Sequence, residues 1–336
     1  MTKIGERTID NRKTYKPHPI HLEQFLEACL TQQKMHWLHT EIDMVMDRID
    51  FYGELSQHER NIVIQTLRFF TQSDVEVGRC YVDYYLRIFK SPEVRMMLLS
   101  FANIEGIHTF AYAFLMTALN LPDSDFQEFL EHKEMCDKYD YMQSFDIDNP
   151  QGIATTLAVV SGFIEGLSLY ASFTILLYFS SKRKDISKNC LMGLGQIVSF
   201  SMRDETLHCL SIMKLFRVYV EENLHIINLS ELEKEIKIQC RKIVEMEIAF
   251  INLIFKDGDL EGLTKDELIS HIYYLGNLRL SQLGFSEIFE GKLIEWTRTF
   301  LYPPQLANFF ESFETNYTKN NFSEMDQSNP WDNVFL

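Results

Sequence analysis

Residues 157–179 read LAVVSGFIEGLSLYASFTILLYF. In length and apolarity this stretch matches a membrane span, and the basic flank Lys182-Arg183-Lys184 adds to the likeness. Yet Glu165 sits inside it, together with Ser161, Ser168 and Ser172. A charge there is costly in lipid, and the chain contains no second stretch of this kind. The stretch is therefore read as a helix buried on all sides in a large helical protein, not as a membrane anchor. Its carboxylate then needs a reason, because buried carboxylates are rare unless paired, protonated or bound to metal.

Two further segments supply one. They are Glu105-Gly106-Ile107-His108 and Glu205-Thr206-Leu207-His208. Residues three apart on an α-helix share a face, so each Glu and His pair can grip one ion. Taken alone the Glu-x-x-His pattern is weak. A third copy, Glu222-Asn223-Leu224-His225, has polar neighbours and reads as chance. The first two lie in apolar helical patterns. Asp74, in FFTQSD, follows another apolar run, NIVIQTLRFF. One carboxylate from each of two helices, with Glu-x-x-His from each of two others, is the di-metal carboxylate arrangement of helix bundles. Carboxylate and imidazole suit iron, manganese or zinc.

The rest of the chain agrees with an all-α protein. Ser91-Pro92-Glu93 has the form of a cap, a first-turn proline and a first-turn acid, and Asn149-Pro150 precedes the long apolar helix. Thr264-Lys265-Asp266-Glu267 is a capping-box pattern, and Pro303-Pro304 opens a short helix, QLANFFESF. Alternating strand patterns are scarce. With 336 residues, 46% of them apolar, the chain can bury a large core. The formal net charge of -16 argues against sequence-independent nucleic-acid binding, which needs clustered Lys and Arg. The six cysteines, Cys29, Cys80, Cys136, Cys190, Cys209 and Cys240, form no C-x-x-C pair. The polar N-terminus has no apolar core of a signal peptide, so the expectation is a reduced, cytoplasmic protein. Residues 1–18 read as an arm, 19–315 as one helical domain and 316–336 as a polar, acidic tail.

At these residues the sequence resembles the small, radical-generating subunit of class I ribonucleotide reductase. The family's order is Asp, then Glu-x-x-His, then Glu, then Arg-Asp-Glu-x-x-His. Here it reads Asp74 in FFTQSD, Glu105 and His108 in IEGIHTFAY, Glu165 in FIEGLSLYASF, and Glu205 and His208 in RDETLH. The resemblance covers nearly the whole chain and implies a ferritin-like bundle with extra helices. It implies that Asp74, Glu105 and His108 hold one ion, and that Glu165, Glu205 and His208 hold the other. Glu105 and a second carboxylate would bridge. Two irons are the first choice of cofactor and two manganese ions the alternative.

The resemblance also assigns the radical. The family's radical tyrosine lies four residues after the first ligand histidine, which is Tyr112 here, and one helical turn returns it to the same face. HWLHTEID matches the segment that carries the family's relay tryptophan, pointing to Trp37, with Asp204 linking it to His108. Tyr317, in TNYTKNNF, matches the tail tyrosine that continues the relay to a separate large subunit. The flexible tail, which ends in Trp331, Val334, Phe335 and Leu336, would dock there, and a homodimer is implied. The pattern departs around Tyr112. Two family phenylalanines correspond to Leu169 and Phe173, and a usual aliphatic is Ser201, whose hydroxyl can admit water or donate a hydrogen bond. No Gly-rich phosphate loop is present, which fits a subunit that leaves substrate to its partner. The rivals are a related oxidase acting on a small molecule, and an iron store or scaffold; the tail favours the reductase.

Overall fold

Helix starts and stops follow local chemistry. The computed structural model describes residues 7–11, 22–122, 124, 131–142, 147–181, 190–303 and 306, and for 69–74 and 142 the backbone alone. α1 (Glu23–Lys34) leads through a single turn at His39–Glu41 to α2 (Val45–Gly53). α3 (Gln57–Arg79) starts at Ser56, whose hydroxyl accepts from the Glu59 N–H (3.2 Å) while the Glu59 carboxylate accepts from the Ser56 N–H (2.7 Å). Such a cap contributes about 1 kcal/mol. A π-helical segment, Cys80–Tyr85, then runs into the short α4 (Leu86–Ile88).

α5 (Pro92–Ala118) begins with Pro92 in its first turn, as its sequence suggests, but Ser91 does not cap it. The Ser91 N–H donates to the Thr8 carbonyl (3.0 Å), and its hydroxyl is buried without a hydrogen-bond partner among the described residues. The Thr8 carbonyl accepts from both the Lys90 and Ser91 N–H groups, so the segment 7–11 packs over this end. The next helices are α6 (Lys133–Met142) and α7 (Pro150–Ala158), the latter capped by Asn149 onto the Gly152 N–H (2.8 Å). A second π-helical segment, Val159–Ser168, continues into α8 (Leu169–Ser181).

α9 (Met192–Glu222) has no cap of its own. The Asp47 carboxylate of α2 accepts from the N–H groups of Gly193 (2.9 Å) and Leu194 (2.7 Å) and serves as a cap from elsewhere in the chain. α10 (Leu229–Ile254) and α11 (Lys265–Leu283) follow; Thr264 and Glu267 form the expected capping box. α11 ends at Gly284, whose φ of 93° is open to glycine at little cost. α12 (Arg298–Leu301) closes the described chain. The expected helix QLANFFESF lies outside the described residues apart from Leu306.

Among the described residues there is no strand, only one isolated bridge between Leu260 and Leu263. The all-α reading therefore holds for the described residues. The continuous helix Pro150–Ser181 is long and apolar enough to cross a membrane, but 89% of its most apolar window is buried inside the protein. It is a core helix. α1, α3, α5, α9 and this helix pack around one interior, and the polar cluster described next lies within it.

Candidate metal centre

Three elements each send ionisable side chains into that interior. α5 contributes Glu105 and His108, three residues apart on its buried face. α9 contributes Asp204, Glu205 and His208 in the same way. Glu165 comes from the π-helical segment Val159–Ser168. Glu105, His108, Glu165, Glu205 and His208 are each at most 1% exposed. One donor atom each from Glu105, Glu165, Glu205 and His208 lies within 4.8 Å of the others. Asp74 lies in α3, and its side chain is outside the described residues.

The two imidazoles share two carboxylates. His108 Nδ1 lies 3.4 Å from Glu105 Oε2 and 3.1 Å from Glu205 Oε1. His208 Nδ1 lies 2.9 Å from Glu105 Oε1, 3.5 Å from Glu205 Oε2 and 4.0 Å from Glu165 Oε1. Glu105 and Glu205 each turn one oxygen to each histidine, which is the arrangement of bridging carboxylates. Neither of them, nor His208 Nδ1, makes a hydrogen bond of good geometry, although all are buried. Such atoms are costly in a dry core unless something else satisfies them.

The carboxylates and imidazoles of this cluster shift one another's titration. Burial pushes the Glu165 carboxyl well above its ordinary range, and Glu205 beside it adds to the shift. At Glu105 burial also acts upward, but the close His108 and His208 rings outweigh it and hold the carboxyl low. Burial pulls both imidazoles down, yet the carboxylates win. Asp204, Glu105 and Glu205 raise His108 well above its ordinary value, and Glu105 and Glu205 raise His208 to about 10. A buried site with this surplus of negative charge and this oxygen and nitrogen donor set fits a pair of divalent cations, which would displace the protons.

The outer ring nitrogens are held too. His108 Nε2 meets Asp204 Oδ2 at 3.1 Å, and the same oxygen accepts from Trp37 Nε1 at 2.8 Å. Trp37 is 2% exposed and stacks on His108, with ring centroids 5.9 Å apart. Arg203 donates to Asp204 Oδ1 (3.2 Å) and to the Met35 carbonyl (2.7 Å), fixing the carboxylate. His208 Nε2 meets Gln32 Oε1 at 3.1 Å. With both Nε2 atoms committed to acceptors, both Nδ1 atoms point at the centre as the ligand lone pairs.

The sequence model of the family described as ribonucleotide reductase, small chain, matches residues 15–295. This chain belongs to that family. It is 38% identical over 308 residues to the probable ribonucleoside-diphosphate reductase small subunit of Invertebrate iridescent virus 3, an overlap covering 86% of this chain and 80% of that protein. Its fold is similar to that of the ribonucleotide reductase R2 subunit from Clostridium botulinum, with a TM-score of 0.74 and 20% identity over 88% of this chain and 94% of that one. It is also similar to the Streptococcus sanguinis dimanganese(II)-NrdF, with a TM-score of 0.66 and 18% identity over 88% and 99% of the two chains. As a ribonucleotide reductase small chain, the protein is part of an oxidoreductase that works with a large subunit, for which this family generates a radical.

Two neighbours of the centre were not singled out from the sequence of this small chain. Gln32 is one. It extends the buried stripe Phe25, Ala28, Cys29 of α1 at helical spacing, and a polar residue on an apolar stripe is the sign that could have found it. Tyr81 is the other. It donates its hydroxyl hydrogen to Glu165 Oε1, and nothing in RCYVDYYLRIF sets it apart from Tyr84 or Tyr85. Tyr112 lies one turn after His108 on α5 and is fully buried. Leu169 and Phe173 are buried, and the Ser201 hydroxyl is buried without a hydrogen-bond partner among the described residues. Glu222, from the third Glu-x-x-His, clamps Thr8 through its N–H (2.9 Å) and hydroxyl (2.5 Å), while His225 is exposed. Tyr317 and the tail 316–336 lie outside the described residues.

Proposed function

We propose that this small subunit holds two metal ions, with Asp74, Glu105 and His108 at one and Glu165, Glu205 and His208 at the other, and uses them to form a radical on Tyr112. The observation that carries the reading is the sharing of Glu105 and Glu205 by both imidazoles. Iron is the first choice. Manganese is the alternative, and the fold's similarity to a dimanganese protein keeps it in view. When bound, the ions supply dioxygen reduction and the one-electron oxidising power that follows from it.

The chain's own residues do the rest. Asp204 and Gln32 hold the imidazoles in the ligand tautomer. Burial keeps water away from Tyr112. Trp37 passes an electron inward while its Nε1 proton stays within reach of Asp204 Oδ2, so the charge it would develop is met by a carboxylate. Tyr317 extends this relay, and residues 316–336 dock on the large subunit. The body 19–315 carries the centre and the arm 1–18 precedes it. A homodimer and a cytoplasmic setting complete the proposal. Cys29, Cys80, Cys209 and Cys240 form no disulfide, which accords with a reducing compartment.

The test is electron paramagnetic resonance after anaerobic iron loading and exposure to oxygen, with metal content and nucleotide turnover measured on the same sample. Tyr112→Phe removes one hydroxyl, so it should keep fold and metals while losing the lasting phenoxyl signal and turnover. A normal signal in that variant would move the radical to another residue.

A further inference from the structure

The two π-helical segments meet at the edge of the carboxylate cluster, where Tyr81 of one touches Glu165 of the other. In Cys80–Tyr85 the extra residue per turn leaves Cys80, Tyr81 and Tyr85 buried while Val82 is exposed. Tyr81 is thereby aimed at the opposite segment, where its hydroxyl donates to Glu165 Oε1. Its ring meets the His208 ring edge-on, with centroids 6.0 Å apart. One phenol therefore touches two ligand residues on the Glu165 side of the cluster. Its surroundings are aromatic and dry, with Phe101 and Tyr85 each 6.0 Å away and Tyr81 itself fully buried.

We propose that Tyr81 is a second redox-active residue of this centre, distinct from Tyr112. The step rests on the reading of the cluster as a dioxygen-activating metal pair, and the oxidant is that pair after its reaction with dioxygen. The Tyr81 O–H bond breaks. One electron passes to the oxidised pair, reducing it by one equivalent, and the proton moves along the existing hydrogen bond to Glu165 Oε1. A neutral phenoxyl radical remains on Tyr81.

Chemistry, not distance alone, separates Tyr81 from its neighbour. The Tyr85 hydroxyl donates to the Thr156 carbonyl (3.2 Å), which is far too weak a base to take a phenolic proton. Glu165 is a carboxylate and can take it. Oxidation of Tyr85 would leave a buried cation, whereas oxidation of Tyr81 leaves no new charge on the ring. Tyr81 therefore offers a sink for an oxidising equivalent that Tyr112 has not accepted, before that equivalent damages the ligands.

The experiment is freeze-quenched paramagnetic resonance on the full chain, loaded with iron and mixed with oxygen, with and without ring-deuterated tyrosine. Four forms are compared: unchanged, Tyr81→Phe, Tyr112→Phe and the double variant. Metal content and optical change report loading and oxidation separately from turnover. Tyr112→Phe should show a short-lived signal that narrows on deuteration, and the double variant should lose it. In the Tyr112→Phe background, a signal of equal size with and without Tyr81, or no tyrosine signal although the metals oxidise, would overturn the proposal. If the metals bind but never oxidise in any form, the reading of the centre fails and Tyr81 falls with it.

Discussion

Gln32 orients His208 through one hydrogen bond, and its own amide nitrogen has no partner among the described residues. Replacing it by leucine keeps the volume and removes the acceptor, so the imidazole loses its fixed tautomer. We expect metal affinity to fall about 10–100-fold with little change in helix content. Competition with a chelating dye would measure this, and unchanged affinity would reduce Gln32 to packing. At this scale the sequence is informative where spacing repeats a geometric need. Glu105 with His108, and Glu205 with His208, are legible because three residues bring two side chains to one helix face. Glu165 is legible because a carboxylate stands out in an apolar run. Tyr81 is not, because its meaning arises from a segment elsewhere in the chain and a π-helical turn that no local pattern announces.

Elements are where local signals and tertiary context compete. Ser56, Asn149 and Thr264 cap as their sequences suggest, but Ser91 is covered by the segment at Thr8, and α9 is capped by Asp47 from another helix. The joint between α11 and the segment after it has its own pH dependence. His271 Nδ1 accepts the Ile294 N–H (3.4 Å), and burial pulls the imidazole down to about 4 from an ordinary value of 6.5. It is neutral in the fold and titrates higher in the unfolded chain. Its folded value is depressed, so the unfolded chain binds the extra proton first. The contribution to stability is whole above pH 6.5 and is lost as pH falls towards 4, by up to about 3 kcal/mol. His271→Gln keeps an acceptor and removes the titration. Denaturant unfolding of the metal-free chain between these limits should show a shallower slope for the variant; equal slopes would contradict the assignment.

The whole molecule assembles the centre from distant parts. Trp37 meets Asp204 across 167 residues and His208 meets Gln32 across 176, so the site exists only when the bundle is complete. Which helices pack together follows from apolar faces; how far apart the ligand atoms sit is a property of the packed interior and cannot be read from one helix at a time. The C-terminal segment belongs to this scale too. It ends in NPWDNVFL, an apolar cluster on an acidic strand, the sort of anchor that orders on binding a groove. Deleting residues 329–336 should spare the metals and the Tyr112 radical and abolish turnover with the large subunit, and a peptide of that sequence should compete. A truncation that keeps full turnover, with a peptide that does not inhibit, would end the docking role. The central claim is the shared pair of carboxylates, and anomalous diffraction from crystals of the iron-loaded chain addresses it directly. Two peaks should lie between Glu105 and Glu205, one beside His108 and the other beside His208. A single peak, or peaks that Glu105 and Glu205 do not both contact, would contradict it.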